Sequence, residues 1–130
     1  MWSVLIAFRQ YSQWNPLNVS ADGEARVGAR VDMSFVDAGG GKGKVMRQTV
    51  TVTRCEPERL LEWVGRIPLL FTGRHRFELQ QENESTRLFH GEDLSGLMPA
   101  FFSKARLSRQ CAAYEEMNAA LASRIEQLSV

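Results

Sequence analysis

The sequence has few cysteines, almost no net charge and no long apolar run. Cys55 and Cys111 are isolated, which excludes a disulfide framework and favours a reduced, cytoplasmic protein. The 16 basic and 15 acidic residues lack the basic excess of a nucleic-acid binder, so we expect no nucleic-acid partner. No apolar run approaches the roughly 20 residues of a membrane span. The apolar N-terminus also lacks the basic region and cleavage site of a signal peptide.

The composition that remains is that of one globular domain. The chain has 130 residues, of which 44% are hydrophobic, and we expect residues 1–130 to form a single domain with its own core. Ala38–Lys44, AGGGKGK, has neither the spacing nor the Ser or Thr of a phosphate-binding loop, so it is interpreted as a hairpin loop. We therefore expect no cofactor.

Hydrophobic periodicity predicts two short helices followed by a sheet. Residues 1–8 place Trp2, Leu5 and Ile6 on one helical face, and residues 9–14 form a second helical turn that Pro16 ends. The chain then alternates between apolar and polar residues in short runs separated by turns. This pattern predicts about six strands in an antiparallel meander. The predicted strands lie within 17–25, 29–37, 44–56, 59–67, 72–81 and 85–96.

A long C-terminal helix is predicted from Pro99 onwards. Its apolar residues recur every three or four positions and form one stripe, which must pack on the sheet. The stripe comprises Phe102, Leu107, Cys111, Tyr114, Met117, Asn118, Leu121, Ile125 and Leu128. The predicted fold class is therefore α+β, with a curved antiparallel sheet wrapped on one long helix. A gap between sheet and helix is a place for a ligand.

Several motifs, taken in order, resemble the START-like, or SRPBCC, superfamily, which includes polyketide cyclase/dehydrase-type proteins. They are V-L-x-x-F-x-x-Y-x-x-W-N-P (Val4–Pro16), R-V-G (Arg26–Gly28), E-P-x-R-L-L-E-W (Glu56–Trp63), H-x-F-E-L (His75–Leu79), T-R-L-F-H-G-E-x-L-S-G (Thr86–Gly96) and Y-E-E-M-N-x-A-L (Tyr114–Leu121). The resemblance implies a helix-grip fold with a hydrophobic cavity for lipids, polyketides or aromatic molecules. One fold hosts many activities, so it does not specify a reaction.

The resemblance also implies a first strand, which this sequence lacks. The chain is either a piece of a longer protein or folds with residues 85–95 as an unpaired edge. An exposed edge is a template for pairing with another chain. We therefore expect a homodimer through this edge.

His75, His90 and Glu92 form the most distinctive polar group. Alternation places His75 with Phe77, and His90 with Leu88 and Glu92, so that all three polar side chains point towards the cavity. The group is either a satisfied polar cluster, an anchor for the polar end of a ligand, or a catalytic set with a histidine as general base. The residues lack the orienting spacing of a metal motif, so no metal is expected.

The first hypothesis is binding of a hydrophobic small molecule, and the alternatives are a polyketide cyclase/dehydratase-like enzyme and an interaction module without a ligand. Trp63 is a candidate cavity wall, with Gly65 leaving space beside it. Residues 65–71 and 95–102 are apolar connections that could meet at an apolar entrance. The predicted ligand-binding residues are Leu61, Trp63, His75, Phe77, Leu88, His90, Glu92, Tyr114, Met117 and Leu121.

Overall fold

A computed structural model of the chain describes residues 1–129. The fold is α+β, as predicted, with a curled six-stranded antiparallel sheet and a long C-terminal helix. Three 3₁₀ helices lie at Phe8–Gln13, Ala38–Gly40 and Pro99–Phe101. The remaining elements are α1 (Trp2–Leu5), β1 (Asn18–Asp22), β2 (Arg30–Val36), β3 (Val45–Glu56), β4 (Leu60–Ile67), β5 (Phe71–Glu82), β6 (Ser85–Ser95) and α2 (Lys104–Leu128).

The sheet is a meander in which every strand pairs with its neighbours in sequence, in the order β1 to β6. Every pairing is antiparallel, which confirms the predicted topology. β6 has β5 as its only strand neighbour within residues 1–129 and forms one edge of the sheet. In that part of the chain, no helix is long and apolar enough to cross a bilayer.

The two N-terminal helical segments cover one end of the sheet. Leu5, Phe8 and Tyr11 are fully buried there, and the Tyr11 hydroxyl donates a hydrogen bond of 2.6 Å to the carbonyl of Leu5. The side chain of Asn15 accepts from two backbone N–H groups, at 2.9 Å each, and so ends the second segment just before Pro16. Trp14 packs on Tyr11, with 5.3 Å between the ring centroids.

The long helix begins later than the sequence pattern suggests. Pro99 starts a short 3₁₀ helix, after which Phe102 adopts an extended backbone. Ser103 is the N-cap of α2, since its hydroxyl accepts from the backbone N–H of Arg106 at 3.1 Å. The predicted start at Pro99 is therefore wrong, because the N-cap forms at Ser103 and the helix begins at Lys104.

The buried face of α2 is also rotated from the predicted stripe. Cys111 is exposed, and Leu107 and Leu128 are 41% and 58% exposed, so these three do not pack on the sheet. The helix is fully buried only at Met117 and Leu121. These two residues contact the core that the sheet and the N-terminal segments share, whereas none of the described residues of α2 before Ala113 packs against that core.

Candidate functional site

A cavity of about 260 Å³ lies between the sheet and the N-terminal half of α2. Its floor is the cross-strand pair of Gly65 on β4 and Gly73 on β5. Just before it, Trp63 pairs with His75, and Leu61 with Phe77. Two glycines opposite one another remove both side chains from one position of the sheet. The concavity therefore follows from these two glycines and from the strand register that pairs them.

The glycines leave room for two polar side chains. A Cβ on Gly65 would lie 2.7 Å from the amide of Gln48, and a Cβ on Gly73 would lie 2.5 Å from a carboxylate oxygen of Glu92. Larger residues would displace both groups. The other lining residues are mostly apolar, and they include Leu17, Met33, Phe35, Val36, Met46, Val50, Trp63, Ile67, Phe71, Met98 and Phe102.

The helix contributes a polar row to the opposite wall. Arg106, Gln110 and Tyr114 line the cavity and follow one another at a spacing of four residues, which places them on one face of α2. Asn118 continues the row and contacts His90 instead of the cavity, with its Oδ1 atom 2.8 Å from His90 Nδ1.

His75, His90, Glu92 and Tyr114 form one connected polar cluster. The Nε2 atoms of His75 and His90 are 2.6 Å apart, and His75 Nδ1 lies 3.7 Å from Glu92 Oε2. Tyr114 donates a hydrogen bond to the same Oε2 atom. Gln110 bridges the pair, with its Nε2 atom 3.0 Å from the Tyr114 hydroxyl and 3.4 Å from Glu92 Oε2.

Aromatic packing fixes the two imidazole rings. The ring of His75 stacks on Trp63, with centroids 4.9 Å apart and planes 5° from parallel. The ring of His90 lies between Phe77 and Tyr114, at 4.3 and 4.7 Å. Packing against the ring faces opposes rotation of each imidazole out of its plane. The ring nitrogen atoms therefore keep their partners.

The hydrogen bonds assign the protons of the cluster. Asn118 presents an oxygen to His90 Nδ1, so that nitrogen carries the hydrogen and His90 Nε2 accepts. His75 Nε2 is then the donor to His90. Its other nitrogen faces the carboxylate of Glu92. His75 is thus hydrogen-bonded within the cluster through Nε2, and its Nδ1 lies 3.7 Å from Glu92 Oε2, beyond hydrogen-bond distance.

The charge states of the cluster follow from its burial. Burial lowers the pKa of His90 to about 3, with a further contribution from His75, so the ring is neutral near neutral pH. Burial alone would raise the pKa of Glu92, but His75 and the Tyr114 hydroxyl outweigh it and hold that pKa below its usual value. Burial and the Glu92 carboxylate raise the pKa of Tyr114, which keeps its hydroxyl a donor.

One oxygen of Glu92 remains available to a ligand. Oε2 faces Tyr114, Gln110 and His75, whereas Oε1 lies over Gly73 on the cavity floor. Within residues 1–129, no side chain or backbone group donates to Oε1. The site thus combines a mostly apolar pocket with the Glu92 carboxylate and with the ion pair of Asp37 and Arg106.

The structure places the predicted site residues in two groups. Trp63, His75, Glu92 and Tyr114 line the cavity. The other six lie outside its lining, because the cavity begins where the glycine pair replaces large side chains. Of these, Leu61, Phe77, Met117 and Leu121 belong to the buried core, Leu88 packs against that core, and His90 lies behind His75.

Two apolar connections meet at the cavity mouth. The backbone N–H of Met98 donates to the carbonyl of Leu70 at 2.9 Å, which joins residues 95–102 to the turn after β4. Opposite them, Arg106 bonds to Asp37 at 2.9 Å and Arg109 donates to the carbonyl of Gly39 at 2.6 and 3.0 Å. These bonds fasten the loop after β2 to the start of α2.

Several lining residues were missed at the sequence level, although signals for them exist. Met46 and Gln48 precede Val50 at a spacing of two, so strand alternation puts them on the same inward face. Arg106 and Gln110 precede Tyr114 at a spacing of four. Hydrophobicity favoured the neighbouring stripe through Leu107 and Cys111, because polar residues are usually assigned to solvent.

The facing nitrogen atoms of His75 and His90 are too close together for a metal ion to lie between them. Their Nε2 atoms face each other at hydrogen-bond distance, and within residues 1–129 no group of three His, Cys, Asp or Glu side chains could hold an ion.

Comparison with known proteins supports the fold. No protein-family model and no curated protein matches this sequence. A solved structure of a Staphylococcus aureus protein of unknown function is similar, with a TM-score of 0.68 over 98% of this chain and 85% of that chain. The two sequences are 12% identical, so the likeness concerns the fold alone.

Proposed function

We propose that this protein is a START-like, cytoplasmic binding protein for a small hydrophobic molecule, held in the cavity between the sheet and α2. The observation that carries the proposal is the pocket above the Gly65–Gly73 pair, lined mostly by apolar side chains, with the Oε1 atom of Glu92 free of protein donors within residues 1–129. Burial of apolar ligand surface, at about 25 cal/mol per Å², supplies the driving force.

The size of the cavity limits the ligand. Its volume of about 260 Å³ is just below the roughly 300–1,000 Å³ typical of sites for drug-sized ligands. A lipid or polyketide of one or two rings is therefore favoured over a sterol or a two-chain lipid. Three methionines in the wall, Met33, Met46 and Met98, allow the pocket to adapt to the outline of its occupant.

The electrostatics of the site select the polar end of the ligand. An ionised Glu92 with its pKa below the usual range accepts hydrogen bonds and repels carboxylates. A hydroxyl or amino group over Gly73 would donate to Oε1. The proposed ligand is accordingly a small aromatic or alicyclic molecule with one hydrogen-bond donor.

Native mass spectrometry of the purified protein, joined to fluorescence titration with naphthol and methylnaphthalene, tests this proposal. We expect a co-purified apolar molecule, or binding of naphthol at micromolar concentration with a weaker response to methylnaphthalene. A clean apo mass together with no binding of either aromatic would refute it.

Paired glycine variants show whether the probe occupies this pocket. Gly65→Val should abolish naphthol binding, since its side chain would displace the Gln48 amide from the floor into the cavity. Gly91→Ala on β6 is the matched control, because a Cβ there meets nothing within 4 Å. Equal binding by both variants would place the probe elsewhere.

A second candidate is a polyketide cyclase/dehydratase-like enzyme with a cavity histidine as general base. Its support is that His75 lines the pocket and is hydrogen-bonded to His90. His75 Nε2 is bonded to His90, whereas its Nδ1 lies 3.7 Å from Glu92 Oε2, beyond hydrogen-bond distance, so the atoms that can accept a ligand proton are His75 Nδ1 and Glu92 Oε1. The lowered pKa of Glu92 makes it a weak base, which favours binding over catalysis.

Exchange of the α-hydrogens of tetralone in D₂O, followed by NMR, tests the enzyme candidate. Exchange faster than buffer, lost in Glu92→Gln and slowed in His75→Gln, would establish proton transfer at the site. Exchange at the buffer rate for all three proteins would leave the binding function alone.

The sheet edge formed by β6 supports a further proposal, a homodimer through edge pairing. β6 runs for 11 residues, one side of it has no strand partner within residues 1–129, and its Phe89 is 46% exposed. Light scattering during size-exclusion chromatography should give twice the mass of the chain. A monomer mass at micromolar concentration would refute the dimer without affecting the ligand proposal.

A further inference from the structure

The cavity mouth carries the most exposed apolar side chains among the large hydrophobic residues. Leu69 is 90% exposed and Phe101 is 86% exposed. They belong to a contiguous group, here named the mouth patch, because the bond from Met98 to Leu70 joins its two segments. The mouth patch comprises Ile67, Leu69, Leu70, Leu97, Met98 and Phe101.

Leu69 has an unfavourable backbone conformation as well as an exposed side chain. Residues 67–70 form a turn closed by a bond of 3.1 Å from the N–H of Leu70 to the carbonyl of Ile67. Pro68 is second in the turn and Leu69 third, with φ of 67°. That position favours glycine or asparagine. A leucine there is strained, and its side chain lies in solvent.

The charges of the chain segments around the mouth are mostly basic. Residues 37–44, 66–71 and 96–109 contain six of the 16 basic residues but one of the 15 acids, Asp37, which pairs with Arg106. Lys42, Lys44, Arg66 and Lys104 form no ion pair within residues 1–129 and are exposed. The rest of the chain consequently has an acidic excess.

We propose that the mouth patch docks on an anionic lipid surface, with its apolar side chains inserted at the headgroup level and its basic residues against phosphate. Amphipathic surfaces with Leu and Phe surrounded by Lys and Arg bind membranes in this way. The inference goes beyond ligand binding and does not depend on what the cavity holds. Docking would turn the mouth of the cavity towards the bilayer.

Charge complementarity selects a lipid surface over a second copy of the chain. A dimer through the mouth patch would bring two groups of unpaired basic residues together, and like charges oppose that contact. An anionic bilayer satisfies the apolar and the basic residues at once.

Flotation with vesicles tests the docking. We expect binding to phosphatidylcholine mixed with phosphatidylglycerol, weak binding to phosphatidylcholine alone, and loss of binding in high salt. Phe101→Ser should weaken binding about ten-fold or more, because a large apolar side chain no longer inserts. Lys104→Gln should weaken it about five-fold.

Leu69→Gly and Leu128→Ser form the decisive pair. Leu69→Gly removes the inserted side chain and relieves the turn, so vesicle binding should fall about ten-fold while the unfolding temperature does not fall. Leu128, 58% exposed at the far end of α2, is the matched control, and Leu128→Ser should bind like the unaltered protein.

Three results would overturn the inference. The first is no flotation with anionic vesicles by the unaltered protein. The second is flotation that Leu69→Gly and Phe101→Ser leave unchanged. A dimer that both variants dissolve would assign the mouth patch to a second copy and would also overturn it.

Discussion

The two halves of the sheet differ in how their paired residues fill space. In the closed half, Leu61 pairs with Phe77, and both are fully buried against α2. Four residues further along β4, Gly65 pairs with Gly73, and the polar side chains of Gln48 and Glu92 lie over them at the floor of the cavity. The same two strands therefore make a core at one end and a pocket at the other, and the side-chain volume of each pair decides which.

The long helix repeats the contrast. Its C-terminal half presents Met117 and Leu121 to the core, and its N-terminal half presents Arg106 and Gln110 to the cavity. Tyr114 lies at the boundary, with its ring on His90 and its hydroxyl on Glu92. Stability should depend on the closed half and binding on the open half, and variants can separate the two.

The largest effect is expected from Phe77→Ala in the closed half. Phe77 is fully buried and its ring contacts Trp63, His75 and His90. The truncation removes apolar burial and leaves a cavity, so the free energy of unfolding should fall by about 3–5 kcal/mol. Urea denaturation measures it. A loss below about 1 kcal/mol would mean that this half is not closely packed.

The next largest effect is expected on stability in acid, through His90 at the boundary between the two halves. The pKa of His90 is about 3 in the folded chain, against an ordinary value of 6.5. The unfolded chain therefore binds a proton that the folded chain does not, and stability decreases as the pH falls from 6.5 towards 3. The slope should approach about 1.4 kcal/mol per pH unit. Glu92 has a lowered pKa in the folded chain, so its contribution to stability is likewise lost as the pH falls below 4.5.

His90→Gln isolates the histidine contribution. Glutamine keeps a neutral polar group beside Asn118 but does not titrate, so urea denaturation of this variant should show a flatter slope above pH 5. Glu92→Gln is the control, because its effect is confined to lower pH. An unchanged slope in His90→Gln would show that this ring is not buried as a neutral group.

How far the sequence predicts these two halves depends on the kind of pattern. Strand alternation is a strict period of two, and it correctly predicts the β-meander and the shared inward face of His75 and Glu92. On a helix, two rows of residues that start one position apart form neighbouring faces, and either face can be the buried one. The stripe through Cys111 looks more apolar than the face through Gln110, so the rotation of α2 could not be predicted from hydrophobicity alone.

The cavity boundary was less predictable than the sheet. Gly65 signals free space, but its consequence depends on the residue opposite, and the register with Gly73 is a tertiary property. The predicted wall therefore extended into the core, as far as Leu61 and Phe77.

A smaller effect is expected from Glu92→Gln on ligand preference in the open half. The carboxylate oxygen over Gly73 becomes a neutral amide group, and a hydrogen bond to a charged acceptor is worth about 1.5–3 kcal/mol. The preference for naphthol over methylnaphthalene should shrink about ten-fold, while methylnaphthalene affinity changes little. Competitive fluorescence titration measures both. Equal losses for the two probes would instead indicate a collapsed pocket.

The smallest effect is expected on the outer face of α2, at Cys111. Its thiol is exposed, whereas Cys55 is partly buried, donates to the carbonyl of Ala25 at 3.3 Å and has a pKa raised by burial. Iodoacetamide should therefore modify Cys111 first, and mass spectrometry of the peptides identifies the site. Because exposed positions tolerate change, the free energy of unfolding should move by less than about 0.5 kcal/mol, with naphthol binding retained. Protection of Cys111 would mean that α2 packs through its apolar stripe, and the polar row that faces the cavity would then face solvent.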